Sequence, residues 1–293
     1  MSATLRLGFD VDRAYALVDS LRLQRIGRSD PTVALELAPD VERFAKCATT
    51  PRGDATFVAW RTTPERVEVA IYGPGSSWMA ERARRFLGLD DPCDFVATHP
   101  RLAPLREALR AVRLVQALSL SQLHAAVILQ QRVTFQAAAR AWRDMCARVA
   151  KPAPGPLSLW MAPSAADWIT LGQPEARALD IDVKRWKALR AAAAVAGEVD
   201  RCADREAPGA ALAEITARLR GTGPWTVGLL AGLGLGDADA VVVGDLHLPG
   251  DVSALFTDQP IADDSRMLEL LEPFRPHRFR IVRAMIAGGR RRL

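Results

Sequence analysis

The sequence predicts an α+β protein that is mainly α, with a small mixed domain over residues 1–90 and an all-helical body over 91–293. Three observations predict this. Val67, Val69 and Ile71 alternate with polar neighbours, the period of a strand buried on one face. From about Pro92 onward, apolar residues recur at helical spacing almost throughout. Later, Leu219-Arg220-Gly221-Thr222-Gly223-Pro224-Trp225-Thr226 reads as a helix end, a two-glycine turn and a new helix start.

Taken in order, residues 5–9 (Leu-Arg-Leu-Gly-Phe) read as a strand, and residues 11–23 as a helix opened by Asp10. Residues 55–60 and 66–72 form a hairpin around Thr62-Thr63-Pro64-Glu65, and residues 76–87 return as a helix. The stretch Lys151-Pro152-Ala153-Pro154-Gly155-Pro156 is the clearest loop, following a helix that ends near Val149. The chain ends in Gly288-Gly289-Arg290-Arg291-Arg292 and a final Leu293, and contains no internal repeat.

At 293 residues, with 49% apolar and 25% charged residues, the chain has the composition of a soluble globular protein able to bury a sizeable core. No apolar run reaches the roughly 18–20 residues of a membrane helix, and the N-terminus lacks a signal peptide's apolar core, so a cytoplasmic protein is expected. Residues 1–100 carry a net charge of −1 and residues 101–293 one of +6. The basic residues are nearly all Arg, which suits bidentate phosphate contacts, although GC-rich coding also yields Arg-rich chains. The charge is compatible with nucleic acid and does not establish it. Cys47, Cys93, Cys146 and Cys202 are too scattered for a structural zinc or iron–sulfur site and read as buried, reduced small hydrophobes.

The glycine turn carries the chemistry. Gly221 and Gly223 lack a Cβ and tolerate positive φ, so backbone can approach a large anion there. Pro224 suits the first turn of a helix, whose free amides point outward as a phosphate site. About twenty residues on, an apolar run at 240–243 leads into Gly244-Asp245, which places one carboxylate at a strand-like or turn position beyond the new helix. Taken alone, a G-x-G turn is usually just a tight turn, and an Asp after Gly is usually a turn former or helix cap. Their conjunction, a phosphate clamp with a carboxylate beside it, points to chemistry on a nucleic acid.

That conjunction resembles the helix-hairpin-helix DNA glycosylase superfamily. The order of a small β-containing unit ahead of a helical body resembles its 3-methyladenine DNA glycosylase II group. Further stretches carry the likeness: His99-Pro100-Arg101-Leu102, Ala126-Val127-Ile128-Leu129-Gln130-Gln131-Arg132-Val133-Thr134, Arg185-Trp186-Lys187-Ala188-Leu189, and Asp245-Leu246-His247-Leu248-Pro249. It extends over roughly residues 99–287, while over 1–90 only the element pattern agrees.

The resemblance implies a TBP-like N-terminal domain and a helix-hairpin-helix core that excises alkylated bases, methylated purines above all, from double-stranded DNA. Asp245 is then the catalytic carboxylate, stabilising the positive sugar of an oxocarbenium-like transition state. Strand-nicking members carry a Lys two residues after the second hairpin glycine. Here that position is Trp225, which cannot form a Schiff base, so the expected product is an abasic site. Trp225 and Leu229 are expected at the base pocket, with core packing the alternative for Trp225. Gly221, Thr222, Gly223 and Thr226 are expected to hold DNA phosphate. The loop with Gln131 and Arg132 is where the family inserts a wedge into DNA. That wedge is usually apolar, so Arg132 is a departure, and a solvated helix end is the other reading. His247 reads as a phosphate or pocket contact or a plain surface residue. Arg275, Arg278, Arg280 and Arg283 read as a phosphate-facing surface or a solvated face. No cofactor or metal is expected, although the resemblance admits a monovalent cation at the hairpin carbonyls. The protein is expected to be a monomer associated with the nucleoid. Excision of a deaminated or oxidised base, a non-catalytic helix-hairpin-helix DNA-binding protein, and a helical interaction module stay open as alternatives.

Overall fold

In the computed structural model, which describes residues 3–39 and 41–289, the N-terminal part is a five-stranded antiparallel sheet in the order β1-β5-β4-β3-β2. The strands are β1 (Leu5–Asp10), β2 (Val33–Ala38), β3 (Val41–Thr50), β4 (Gly53–Thr63) and β5 (Arg66–Tyr72). Two helices, α1 (Leu17–Leu21) and α2 (Ser76–Phe86), cover one face, where Phe44, Phe57, Val69, Ile71, Met79 and Phe86 form the core. The 4–5 hairpin turns at Pro64-Glu65 with Thr63 opposite Arg66, as the alternating pattern predicts.

Two expectations fail in this region. The predicted helix over 11–23 is only α1, extended by a 3₁₀ turn at Arg22–Gln24. Asp10 sits in β1 opposite Arg66, and Asp12 caps a separate turn by accepting the Ala14 amide at 2.7 Å, which delays the helix to Leu17. Strands β2 and β3 are absent from the sequence reading. The residues from Phe44 to Ala48 are all buried, because the loop after residue 150 covers the second face of the sheet with Leu159 and Met161 against Ala45, Cys47 and Val58. A strand buried on both faces shows no alternation.

The remaining helices are α3 (Arg106–Ala111), α4 (Leu120–Leu129), α5 (Phe135–Val149), α6 (Ala165–Thr170), α7 (Gln173–Ala178), α8 (Val183–Ala194), α9 (Ala196–Cys202) and α10 (Pro208–Ala217). Then come α11 (Pro224–Leu229), continued by a π turn at Leu230–Gly234, and α12 (Leu248–Thr257), α13 (Asp264–Leu271) and α14 (Arg278–Ala287). The run at 240–243 belongs to no strand and ends in a turn at Val243-Gly244. Among the described residues no helix is long and apolar enough to cross a membrane. The final arginines, Arg290 to Arg292, lie outside the described residues. Cys47, Cys146 and Cys202 are buried as expected, whereas Cys93 is half-buried and takes an N–H from Arg113 at 3.0 Å.

Helix α14 joins the sheet unit to the helical body, and its arginines do this from inside. Arg280 makes a bidentate pair with Asp91 at 2.6 and 2.9 Å, with both side chains buried. Arg278 pairs with Asp239 at 2.6 Å, and Arg283 donates to the carbonyls of Asp19 and Ser20 before α1 ends. Burial pushes the Arg283 pKa down to about 9. The phosphate-facing reading of these residues is therefore corrected: Arg278, Arg280 and Arg283 are 7%, 3% and 3% exposed, and Arg275 alone reaches solvent. An apolar helix face that must also satisfy neighbouring carbonyls draws Arg inward, provided acceptors are waiting.

Candidate active site

The hairpin runs from the end of α10 to the start of α11. Gly221 adopts φ +89, and a Cβ there would come within 2.7 Å of the Ala188 Cβ on α8. Gly223 does not use left-handed backbone. It is the extended N-cap of α11 at φ −97, and a Cβ there would meet nothing within 4 Å. The two glycines thus serve different needs: the first permits a fold, the second keeps a surface bare. After Gly223, Pro224 occupies the first helical turn, and the amides of Gly223, Trp225 and Thr226 make no backbone hydrogen bond. This is the arrangement a phosphate oxygen would accept from.

Helix α4 and the loop after it hold the hairpin from behind. Gln131 Nε2 donates to the Gly221 carbonyl at 2.8 Å and to Thr226 Oγ1 at 3.0 Å. The buried His124 Nε2 lies 3.1 Å from Thr222 Oγ1. Burial pushes the His124 pKa down to about 4, so it stays neutral at physiological pH. Thr226 is 1% exposed, backbone included, and its hydroxyl accepts from Gln131, so it holds the hairpin from behind. Gln131 is likewise half-buried and spends its amide on the hairpin. Beyond it Arg132 is exposed in the left-handed region at φ +59. As for a cation at the hairpin, the Gly221 carbonyl already accepts from Gln131 and the Leu219 carbonyl from the Thr222 amide at 3.3 Å. That donor set is a poor match for an ion.

Another glycine brings the carboxylate in. Gly228 lies so close to the Val241 carbonyl that a methyl there would collide with it, so the 240–243 segment runs hard against α11. Gly244, at φ +83, then turns the chain, and its amide donates to Asp264 Oδ2 at 2.9 Å. Asp245 Oδ1 accepts the amides of His247 and Leu248 at 2.9 and 2.8 Å, capping α12. Its Oδ2 accepts the Trp225 indole N–H at 3.0 Å. These donors stabilise the carboxylate as an anion and fix its direction. His247 is exposed beside it.

Trp225, Leu229 and Asp245 line one cavity of about 320 Å³. That is at the small end of the roughly 300–1,000 Å³ typical of small-ligand pockets. The three residues expected at the pocket are therefore brought together, and the hairpin stands beside them. Sequence reasoning missed the rest of the lining: Gln122, Phe135, the segment from Arg22 to Arg28, and Lys46. One signal was available. Ser119, Gln122, Leu123, Ala126, Val127 and Gln130 fall on one stripe of α4 and its two caps, and the glutamines put polar groups among its apolar residues.

No protein-family model matches the sequence, and no curated protein matches it. Solved structures do match the fold. A 3-methyladenine DNA glycosylase from Archaeoglobus fulgidus superposes with a TM-score of 0.78 at 15% identity, covering 95% of this chain and 96% of the other. A Clostridium acetobutylicum 8-oxoguanine glycosylase/lyase in complex with double-stranded DNA gives 0.67 at 9% identity, covering 99% of this chain and 98% of the other. A Schizosaccharomyces pombe 3-methyladenine DNA glycosylase in complex with abasic DNA gives 0.51 at 16%, covering 66% of this chain and 91% of that one. The chain has the fold of the helix-hairpin-helix DNA glycosylases.

Proposed function

We propose that this chain is a DNA N-glycosylase that binds double-stranded DNA, takes a damaged base into the cavity and hydrolyses its N-glycosidic bond. One observation carries the reading: the Asp245 carboxylate is held by Trp225 at a cavity of base-sized volume, beside a hairpin with free amides. The C1′–N bond breaks with its electron pair leaving on the base, and positive charge grows on the sugar. Asp245 stabilises that charge. A water oxygen then bonds to C1′, and its proton leaves to solvent or to the departing base. Flipping the base costs a few kcal/mol, less for a damaged pair.

The reading is monofunctional. Trp225 holds the position where a Schiff-base lysine would stand, and its N–H serves the carboxylate instead. Lys46, which also lines the cavity, is bonded to the Gln24 carbonyl from the sheet side. Gly221, Thr222 and Gly223 present backbone to phosphate in this proposal, with Thr226 buried behind them, and the exposed Arg132 and His247 contact the strand. The strand order with its two helices on one face supports the TBP-like label for the sheet unit. One chain carries all these groups, so a monomer is the working unit. Methylated purines, the class the resemblance implies, enter through the Trp225 ring, on which an electron-poor base can stack. The opposite wall of the cavity is basic and favours another class, an oxidised or deaminated base.

The test is base release from damaged duplex DNA, with the freed bases identified by mass spectrometry and Asp245→Asn run in parallel. Release by the wild type alone supports the reading. Tight, salt-sensitive DNA binding without release from any lesion would make the protein a non-catalytic binder.

A further inference from the structure

Resting on the glycosylase reading, we propose that the cavity selects an uncharged base bearing carbonyl oxygens, with Lys46, Arg25 and Gln122 as its specificity-determining residues. All three line the cavity with Asp245 and Trp225. Lys46 comes from β3 and is 8% exposed; its Nζ donates to the Gln24 carbonyl at 2.7 Å and forms no ion pair among the described residues. An ammonium has three N–H groups, so donors remain after that bond. Gln122 is 9% exposed, and its side-chain amide has no hydrogen-bond partner among the described residues. Arg25 likewise has no hydrogen-bonding or ion-pairing partner there. Its pKa is held below the ordinary value by burial and by the neighbouring Arg22 and Arg28, against the opposing pull of Asp30.

Asp30, which lines the same cavity, does not satisfy this wall. Asp30 Oδ1 accepts from the Thr32 amide, the Thr32 hydroxyl and the Trp142 indole at 2.8–2.9 Å, and Oδ2 accepts the Ile26 amide at 2.9 Å. Donors thus outnumber the acceptors Asp30 can offer in this wall, and a bound ligand can supply acceptors in place of water. Exocyclic carbonyl oxygens supply them. A purine methylated at N3 or N7 instead brings a positive charge next to Lys46 and Arg25, where low dielectric makes like charges costly. Phe135 and Trp225 stack a neutral base equally well. Intact thymine and guanine also carry carbonyls, and the cost of breaking a sound pair discriminates against them.

The test offers the full-length protein separate duplexes containing one uracil, one hypoxanthine, one 8-oxoguanine or one N7-methylguanine. Single-turnover release is measured for wild type, Lys46→Met and Gln122→Ala. The proposal expects release of at least one neutral base in preference to N7-methylguanine. It expects each variant to slow that release about tenfold or more, as loss of a buried polar contact does. Lys46→Met should also narrow the gap to N7-methylguanine. Release of N7-methylguanine with the neutral bases left intact overturns this proposal while the glycosylase reading stands. Release of none overturns this proposal, and the glycosylase reading falls with it when no other lesion is released either. If Lys46→Met loses cooperative melting, Gln122→Ala decides alone: an unchanged rate on the neutral base sinks the assignment.

Discussion

The indole N–H of Trp225 donates to Asp245 Oδ2 at 3.0 Å, joining the first turn of the hairpin helix to the carboxylate twenty residues later. The two oxygens of Asp245 thus have divided duties, Oδ1 capping α12 and Oδ2 held toward the cavity by Trp225. Trp225→Phe keeps the ring and removes the N–H. A hydrogen bond to a charged group is worth about 1.5–3 kcal/mol, so kcat for base release should fall about tenfold or more with KM little changed. Asp245→Asn should lower kcat by roughly 10²–10³ while DNA affinity survives. Equal rates for Trp225→Phe and wild type would mean that the indole merely packs.

The glycines separate stability from binding. Gly228→Ala sets a methyl against the Val241 carbonyl and should cost about 1–3 kcal/mol, displacing the segment that carries Asp245 and lowering kcat. Gly221→Ala meets left-handed strain and the Ala188 Cβ, and should cost about 1–2 kcal/mol and weaken binding to every DNA sequence alike. Gly223→Ala has room and an ordinary φ, so its melting temperature should stay near wild type. If its DNA affinity also stays unchanged, Gly223 is not where a phosphate approaches.

Much of this site was legible in the sequence because its signals are local. Gly221, Gly223 and Pro224 define a turn and a helix start within four residues, and Asp245 follows a glycine at a readable spacing. What was hidden depends on partners far along the chain. Strand β3 shows no alternation because a loop about a hundred residues later covers its second face. The α14 arginines look like a solvated surface until Asp91, 189 residues from Arg280, is placed against them. Lys46 carries no signal in the sequence, because the strand that holds it went unread and the cavity it lines also needs α4 and α11. The Gln122 stripe is the intermediate case, visible as a pattern without a stated purpose.

The buried pair between Arg280 and Asp91 makes a stability prediction rather than a binding one. Asp91 also accepts the Leu114 amide at 2.9 Å, and the Arg280 guanidinium and these amides hold its carboxyl below its ordinary pKa against burial. Removing one partner of such a pair strands the other, at a cost of about 3–5 kcal/mol. Asp91→Ala should therefore lower the melting temperature sharply. Arg280→Ala should do likewise and leave the salt dependence of DNA binding unchanged in slope. Arg132→Ala should do the reverse, with normal melting and a slope reduced by about one. A reduced slope in Arg280→Ala would return that residue to the DNA surface.

His124 makes the hairpin sensitive to acid. Its pKa is about 4 in the fold because burial disfavours the charged ring, and near 6.5 when unfolded. Below pH 6.5 the unfolded chain takes up a proton that the native chain refuses, so stability is full above that value and falls as pH drops toward 4. The slope approaches about 1.4 kcal/mol per pH unit across this window, roughly 3 kcal/mol in all. Urea midpoints measured between pH 7 and 4 should therefore decline for the wild type and decline less for His124→Asn. The variant should also bind DNA more weakly at neutral pH if the ring's contact with Thr222, 3.1 Å away, positions the hairpin. Parallel pH profiles for the two proteins would show that the acid sensitivity arises from the carboxylates instead.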